Sequence, residues 1–258
     1  VQYVGKYVTA HGFMMTVFDF REDASTVCRF LGERQFDALV NFSSNIYTDD
    51  LLSMLKYRGT ILANFANVSD IEVHHEVSGA MYDLMKKMQA LGHKKVGYVS
   101  VVDKQRWNAD ERGQTFLKHR EECGFCASDD YIIYNDDYTL ASGEIGYLKT
   151  KELFEKHSEV TAIFVMNDVA AFGAIRALKD MGIDCPKDVS VVGCDDIALS
   201  QTFVPSLTSI SFNKEEYGTE IGRMIIDRLQ SSEKQEPKIY TVKAAAVFRE
   251  SLAPVCEK

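Results

Sequence analysis

AIFVMNDVAAFGAIRALKDMGIDCPKDVSVVGCDDIALSQTFVPSLTSI, residues 162–210, is the stretch whose reading decides the fold. Residues 162–166 form a short apolar run of the kind buried on both faces of a parallel sheet. Asn167 and Asp168 follow at once, and both are residue types that cap helix N-termini. Behind them Val169, Phe172, Ile175 and Leu178 recur at helical spacing, and Gly182 closes the helix. Residues 189–194 are a second buried-type strand, ending in the pair Asp195–Asp196. Strand, helix and strand in this order are one βαβ unit.

The same alternation runs outward in both directions. Towards the N-terminus, Val4, Tyr7 and Val8 predict a helix that Gly12 ends, 14–18 a strand, and the residues around Val27 to Leu31 a second helix. Then come a strand over 38–42, a helix near 50–57 and a strand over 61–65. A helix over 79–91 places Met81, Leu84, Met85 and Met88 on one face, before Gly92 and His93 and a buried strand over 96–101. A helix over 112–122 capped by Gly124, a strand over 131–134 and a helix over 143–156 lead into the quoted stretch. An amphipathic helix over 215–229 and a closing strand over 240–248 follow it. This is an α/β chain with too many strands for one comfortable sheet, so two doubly wound parallel-sheet lobes are expected. A doubly wound lobe normally opens with a strand that feeds its first helix. The chain opens inside a helix, so a first strand is expected upstream of residue 1.

Composition narrows the function. The chain has 258 residues, 46% of them apolar and 26% charged, which suits folded globular domains rather than disorder. Its net charge of −9 repels a nucleic-acid backbone and anionic lipid. No window reaches the roughly 18 apolar residues of a membrane helix, and no signal peptide is visible. The six cysteines are scattered and read as free thiols of a reducing cytoplasm. C-G-F-C, residues 123–126, falls at a helix C-terminus, where nothing lowers a thiol pKa, so it is not read as a redox motif. His74 and His75 are adjacent on an extended segment and point to opposite faces, which is no metal spacing. No nucleophile elbow, Walker loop or G-x-G-x-x-G occurs, so neither an enzyme nor a bound cofactor is expected.

The quoted stretch resembles the core of the LacI/GalR regulators, whose usual form runs from a strand into N-D and a helix ending R-A-L-x-x-x-G. P-x-D-V-S-V-V-G-x-D-D and P-x-L-T-T-I then follow. A-L-G-H-K-K-V-G-Y-V (90–99) is similar to the family's L-G-H-x-x-I strand entry, and F-R-E-S (248–251) to its closing V-R-E-S. The resemblance spans nearly the whole chain and implies a periplasmic-binding-protein-like type I fold. It implies an N-terminal lobe of 1–102 plus 211–236, a C-terminal lobe of 103–210 plus 237–258, and a ligand cleft between them. The family's helix-turn-helix headpiece is expected upstream. The function implied is the effector-binding and dimerisation domain of a cytoplasmic transcriptional repressor. Its partners would be a small-molecule effector, in the first place a carbohydrate, a second copy of the chain, and operator DNA held through the headpiece, with no membrane. The alternative is an extracytoplasmic sugar-binding protein of a transport system.

The resemblance also marks candidate ligand contacts. Arg112, in R-G-Q-T-F, falls where the family's R-x-x-G-F arginine bonds the effector, and a guanidinium fork suits hydroxyls or a carboxylate. Thr115 departs from the family glycine. Asp195, first of the aspartate pair, would accept from a sugar hydroxyl, with Asp196 structural. Asn167 would reach the ligand or cap the helix, with Asp168 as the alternative cap. Arg106, Trp107 and Asn108 form a loop whose indole, the only one in the chain, could stack on a sugar ring. Tyr138 is a further aromatic contact. Phe212 replaces a polar residue of sugar-binding relatives and His75–Glu76 replaces Asp-Asn, so an effector unlike the usual galactosides is implied.

Overall fold

The computed structural model describes residues 1–18, 24–42, 47–231, 233 and 235–256; the Val27 side chain, part of the predicted second helix, lies outside the described residues. In chain order the elements are α1 (Gln2–Ala10), α2 (Ala24–Gly32), β1 (Ala38–Val40), α3 (Asp49–Tyr57), β2 (Ile61–Ala63), β3 (Ile71–Glu76), α4 (Ser78–Ala90), β4 (Val96–Val99), α5 (Lys104–Ala109), α6 (Glu111–His119), β5 (Ile132–Ile133), α7 (Ser142–Lys156), β6 (Ala162–Val165), α8 (Asp168–Asp180), β7 (Ser190–Cys194), α9 (Leu199–Thr202), β8 (Thr208–Ser211), α10 (Lys214–Gln230), β9 (Lys238–Lys243) and β10 (Ala245–Val247).

The chain divides into two units, one of Val1–His75 with Asn213–Val242 and one of Glu76–Phe212 with the residues from Lys243 on. The boundary expected at 102/103 therefore falls at 75/76. The reason is packing: α4 lies against α6 and β10, and β4 is an interior strand of the second unit's sheet. The other limits move too, because β9 joins β3 in the first unit. The single closing strand expected over 240–248 is two strands in different sheets. The helix expected over 112–122 is α6, shorter and preceded by α5.

In the second unit the sheet order is β10-β8-β7-β6-β4-β5, parallel throughout except for β10. Side chains alternate between its two faces with the period of two that a strand requires. Tyr98, Phe164, Val192 and Cys194 pack with Met81, Leu84, Met85, Met88, Trp107 and Phe116 from α4, α5 and α6. Val99, Ile163, Val165 and Val191 pack with Leu153, Ala170, Ala174 and Leu178 from α7 and α8. Each large aliphatic buried in this way contributes roughly 1.5–3 kcal/mol. Helices α7 and α8 cross so closely that a Cβ on Gly173 would lie 1.9 Å from the Gly143 carbonyl oxygen, and one on Gly146 2.0 Å from that of Ala170.

The first unit has the sheet order β1-β2-β3-β9. Val4 and Val8 of α1 and Ile221, Met224, Ile225 and Ile226 of α10 cover one face, and Leu31, Leu51, Leu52 and Leu55 cover the other. Residues 14–18, predicted as a strand, join no described ladder. Between them and β1 lies an apolar groove of about 710 Å³, lined also by Val4, Val8, Ile225, Ile226 and Leu229.

Candidate ligand site

All eight candidate contacts fall in the second unit, each after the carboxyl end of a strand. Arg106, Trp107, Asn108 and Arg112 follow β4, Tyr138 follows β5, Asn167 β6, Asp195 β7 and Phe212 β8. In an open parallel sheet the carboxyl ends of the strands are where ligands bind.

Arg112 is held at this rim by three side-chain hydrogen bonds. Its Nε and Nη2 donate to the two Asp110 carboxylate oxygens at 2.8 and 2.7 Å, and Nη1 donates to the Met166 carbonyl at 2.8 Å. Asp110 is set by the helix itself. It is the N-cap of α6 and accepts the Arg112 backbone N–H at 2.9 Å. Burial pushes the Asp110 carboxyl up, and the Arg112 guanidinium overrides it, holding the group below its ordinary value. Cys194 lies close enough to feel the guanidinium charge, yet burial pushes its thiol up to about 12, so it stays neutral.

The 106–108 loop is short helix α5, capped by Asp103, whose carboxylate accepts the Arg106 N–H at 2.8 Å. The Tyr138 hydroxyl donates to the same carboxylate, and the Arg106 guanidinium lies over the Tyr138 ring, 4.6 Å from its centroid. Arg106, Asp103 and Tyr138 thus form one cluster, with Arg106 and Tyr138 exposed and Asp103 half-buried. Asn108 is exposed beside it. Trp107 corrects its prediction. The indole is fully buried, edge-on to Tyr98 and Tyr134 at 5.1 and 5.4 Å, so it offers no face to a sugar. It also explains Gly113, because a Cβ there would meet the Trp107 carbonyl oxygen at 2.6 Å.

Asn167 caps α8, its side-chain oxygen accepting the Ala170 N–H at 2.8 Å. Asp168 is not the cap. It is fully buried, and its oxygens accept from the hydroxyls of Ser200 and Ser209, both at 2.6 Å, and from the Ile197 N–H at 2.9 Å. It thereby ties the loop after β7 to the sheet. Within that loop Asp195 and Asp196 have φ of +115° and +46°, a left-handed pair that side chains seldom adopt. Such strain persists only where the surroundings over-determine it, and it concentrates at functional sites. Asp196 supplies part of that support through a half-buried ion pair with Arg249 at 2.7 Å. Phe212 is partly buried against the core of the unit.

Sequence reasoning missed Asp110 and Arg249 and gave Asp168 only the part of a possible cap. Asp110 carried a signal, since an aspartate two residues before the arginine at a helix start is a cap. Arg249 lies in F-R-E-S, and the whole motif is a clasp: Glu250 accepts from Ser206 N–H at 2.8 Å and Ser251 Oγ donates to the Val191 carbonyl at 2.6 Å. Among the described residues no group of three or more His, Cys, Asp or Glu could hold a metal ion, and no helix is long and apolar enough to cross a membrane.

A family model for the periplasmic binding protein-like domain matches residues 85–252. The chain is 29% identical to the HTH-type transcriptional repressor PurR of Serratia proteamaculans over 230 residues, covering 86% of this chain and 65% of the relative. The repressor PurR of Yersinia pestis bv. Antiqua is likewise 29% identical, over 233 residues, with the same coverage. The chain thus spans about two thirds of the length of these relatives, just under it at 65%. Among solved structures, a LacI family regulator from Enterococcus faecium with bound ribose superposes with a TM-score of 0.77 at 23% identity, covering 99% of this chain and 93% of that one. A LacI family regulator from Arthrobacter sp. FB24 in complex with lactose gives 0.81 at 20% identity, covering 97% and 92%. The CelR–cellobiose complex gives 0.78 at 22%, covering 96% and 76%. At these identities the likeness establishes the fold.

Proposed function

Because the chain belongs to the family of periplasmic binding protein-like domains, we propose that it is the effector-binding and dimerisation core of a cytoplasmic LacI/GalR-type transcriptional repressor that senses a small sugar or related polar metabolite. The observation that carries this reading is the Arg112 guanidinium, fixed by Asp110 and Met166 at the carboxyl ends of the strands, in the same unit as the strained Asp195–Asp196 turn. A guanidinium held still and a turn held under strain are what a preorganised polar site requires. The names of the relatives support it: the PurR proteins are repressors, and the regulators of similar fold were solved with ribose, lactose and cellobiose. Contacts to the effector are assigned to Arg112, Asp195, Asn167, Arg106, Asn108, Tyr138 and Phe212. With a net charge of −9 this chain leaves DNA contact to a separate headpiece. The effector then works by binding one arrangement of the dimer more tightly than another.

The test is a thermal-shift screen against sugars, sugar phosphates and nucleobases. A ligand at a hundredfold excess over Kd stabilises the native chain by about 2.7 kcal/mol. A selective rise in Tm that Arg112→Ala abolishes is the expected result; no rise with any compound sinks the proposal.

A further inference from the structure

The rim carries three arginines, and each has an aspartate of its own. Arg106 faces Asp103 at 3.7 Å, Arg112 faces Asp110 at 2.7 Å, and Arg249 faces Asp196 at 2.7 Å. Asp168, buried beneath the turn, adds a further acid whose partners are hydroxyls and a backbone N–H. Counting Asp195, five aspartates stand against three arginines. A ligand bearing a phosphate or carboxylate meets no uncompensated positive charge among these groups.

The pairing at Arg112 is the decisive one. A guanidinium grips a carboxylate or phosphate through two parallel N–H bonds. Of the two edges that can do so, Asp110 occupies Nε with Nη2 at 2.8 and 2.7 Å, and Met166 draws on Nη1 of the other. Nη1 has spent one hydrogen on Met166. The Cys194 sulfur lies within hydrogen-bond reach of the guanidinium as well. A guanidinium whose donors are largely taken, beside a neutralised charge, suits single hydroxyl or carbonyl oxygens. Asp110 cannot easily swing away, because the same carboxylate caps α6.

We infer that Asp110 is the specificity-determining residue of this site: by holding the Nε–Nη2 edge of Arg112 and neutralising its charge it selects a neutral, hydroxyl-rich effector and rejects the phosphorylated analogue of the same sugar. The inference rests on the effector reading above and sharpens it.

Asp110→Asn tests it, since asparagine is as good an N-cap as aspartate and α6 keeps its start while the charge goes. Thermal shift and calorimetric titration would compare D-ribose with ribose 5-phosphate, glucose with glucose 6-phosphate, and inorganic phosphate alone, on wild type and variant of matching circular dichroism. The wild type is expected to prefer the neutral member of a pair by roughly tenfold or more, and to ignore phosphate. Asp110→Asn is expected to narrow or reverse that preference by about tenfold and to gain stabilisation by phosphate. A preference unchanged in the variant, with no response to phosphate, overturns the role of Asp110 and leaves the effector reading intact. Sugars that bind neither protein while phosphate stabilises only the variant would do the opposite, retaining Asp110 as an anion filter and removing the sugar reading.

Discussion

At the scale of single residues, Asp195 and Asp196 separate strain from support. Asp195 at φ +115° is held where glycine alone is comfortable. Asp195→Gly is expected to raise stability by about 1 kcal/mol in thermal denaturation while abolishing the ligand-dependent rise in Tm. Asp196→Gly breaks the ion pair with Arg249 and strands a half-buried guanidinium, so it is expected to lower stability by ~2–4 kcal/mol. Equal stability losses in both variants would refute the distinction. His93 offers a pH handle. It is buried between Thr161 Oγ1 and the Ala253 carbonyl, each at 3.0 Å. Burial pulls its pKa down, against the raising effect of the Ala253 hydrogen bond. A base with a lowered native pKa stabilises the fold above its unfolded value, about 6.5, and loses that contribution as the pH falls through the native value. Denaturation midpoints of the wild type should therefore drop on acidification below about 6.5. His93→Gln should show a shallower drop, His75 retaining a share in the same direction. Parallel curves would dismiss His93 as the source.

Among the elements, α7 and α8 cross at close range, and Gly173 permits it. Gly173→Ala would drive a methyl into the Gly143 carbonyl, so a loss of about 3 kcal/mol is expected in urea denaturation, against less than 1 kcal/mol for an alanine at an exposed helix site. Alternation of buried strands and one-sided helices was legible wherever burial was complete, as at β4, β6, β7, α4 and α8. It failed where strands are half wet. β3 carries Glu72, His74 and His75 among its apolar residues, and β8 reads Thr-Ser-Ile-Ser, so neither showed a strand pattern. The run 240–248 looked like one strand because nothing local marks Ala244 as the point where the chain leaves one sheet for the other. The site followed the same rule. Positions at strand ends were readable from the motifs, whereas the burial of Trp107 and the pairing of Arg112 with Asp110 depend on neighbours that periodicity does not encode.

For the whole molecule, the boundary at 75/76 places α4 and β4 in the unit that holds every candidate contact. The decisive measurement for a neutral effector at the carboxyl ends of the strands of the second unit is a crystal structure with the sugar that gives the largest thermal shift. Ligand oxygens are expected within hydrogen-bond reach of Arg112 and Asp195, with the Arg112–Asp110 pair intact; a ligand lodged in the groove beside β1, or an Arg112 freed from Asp110 to grip it, would refute that placement.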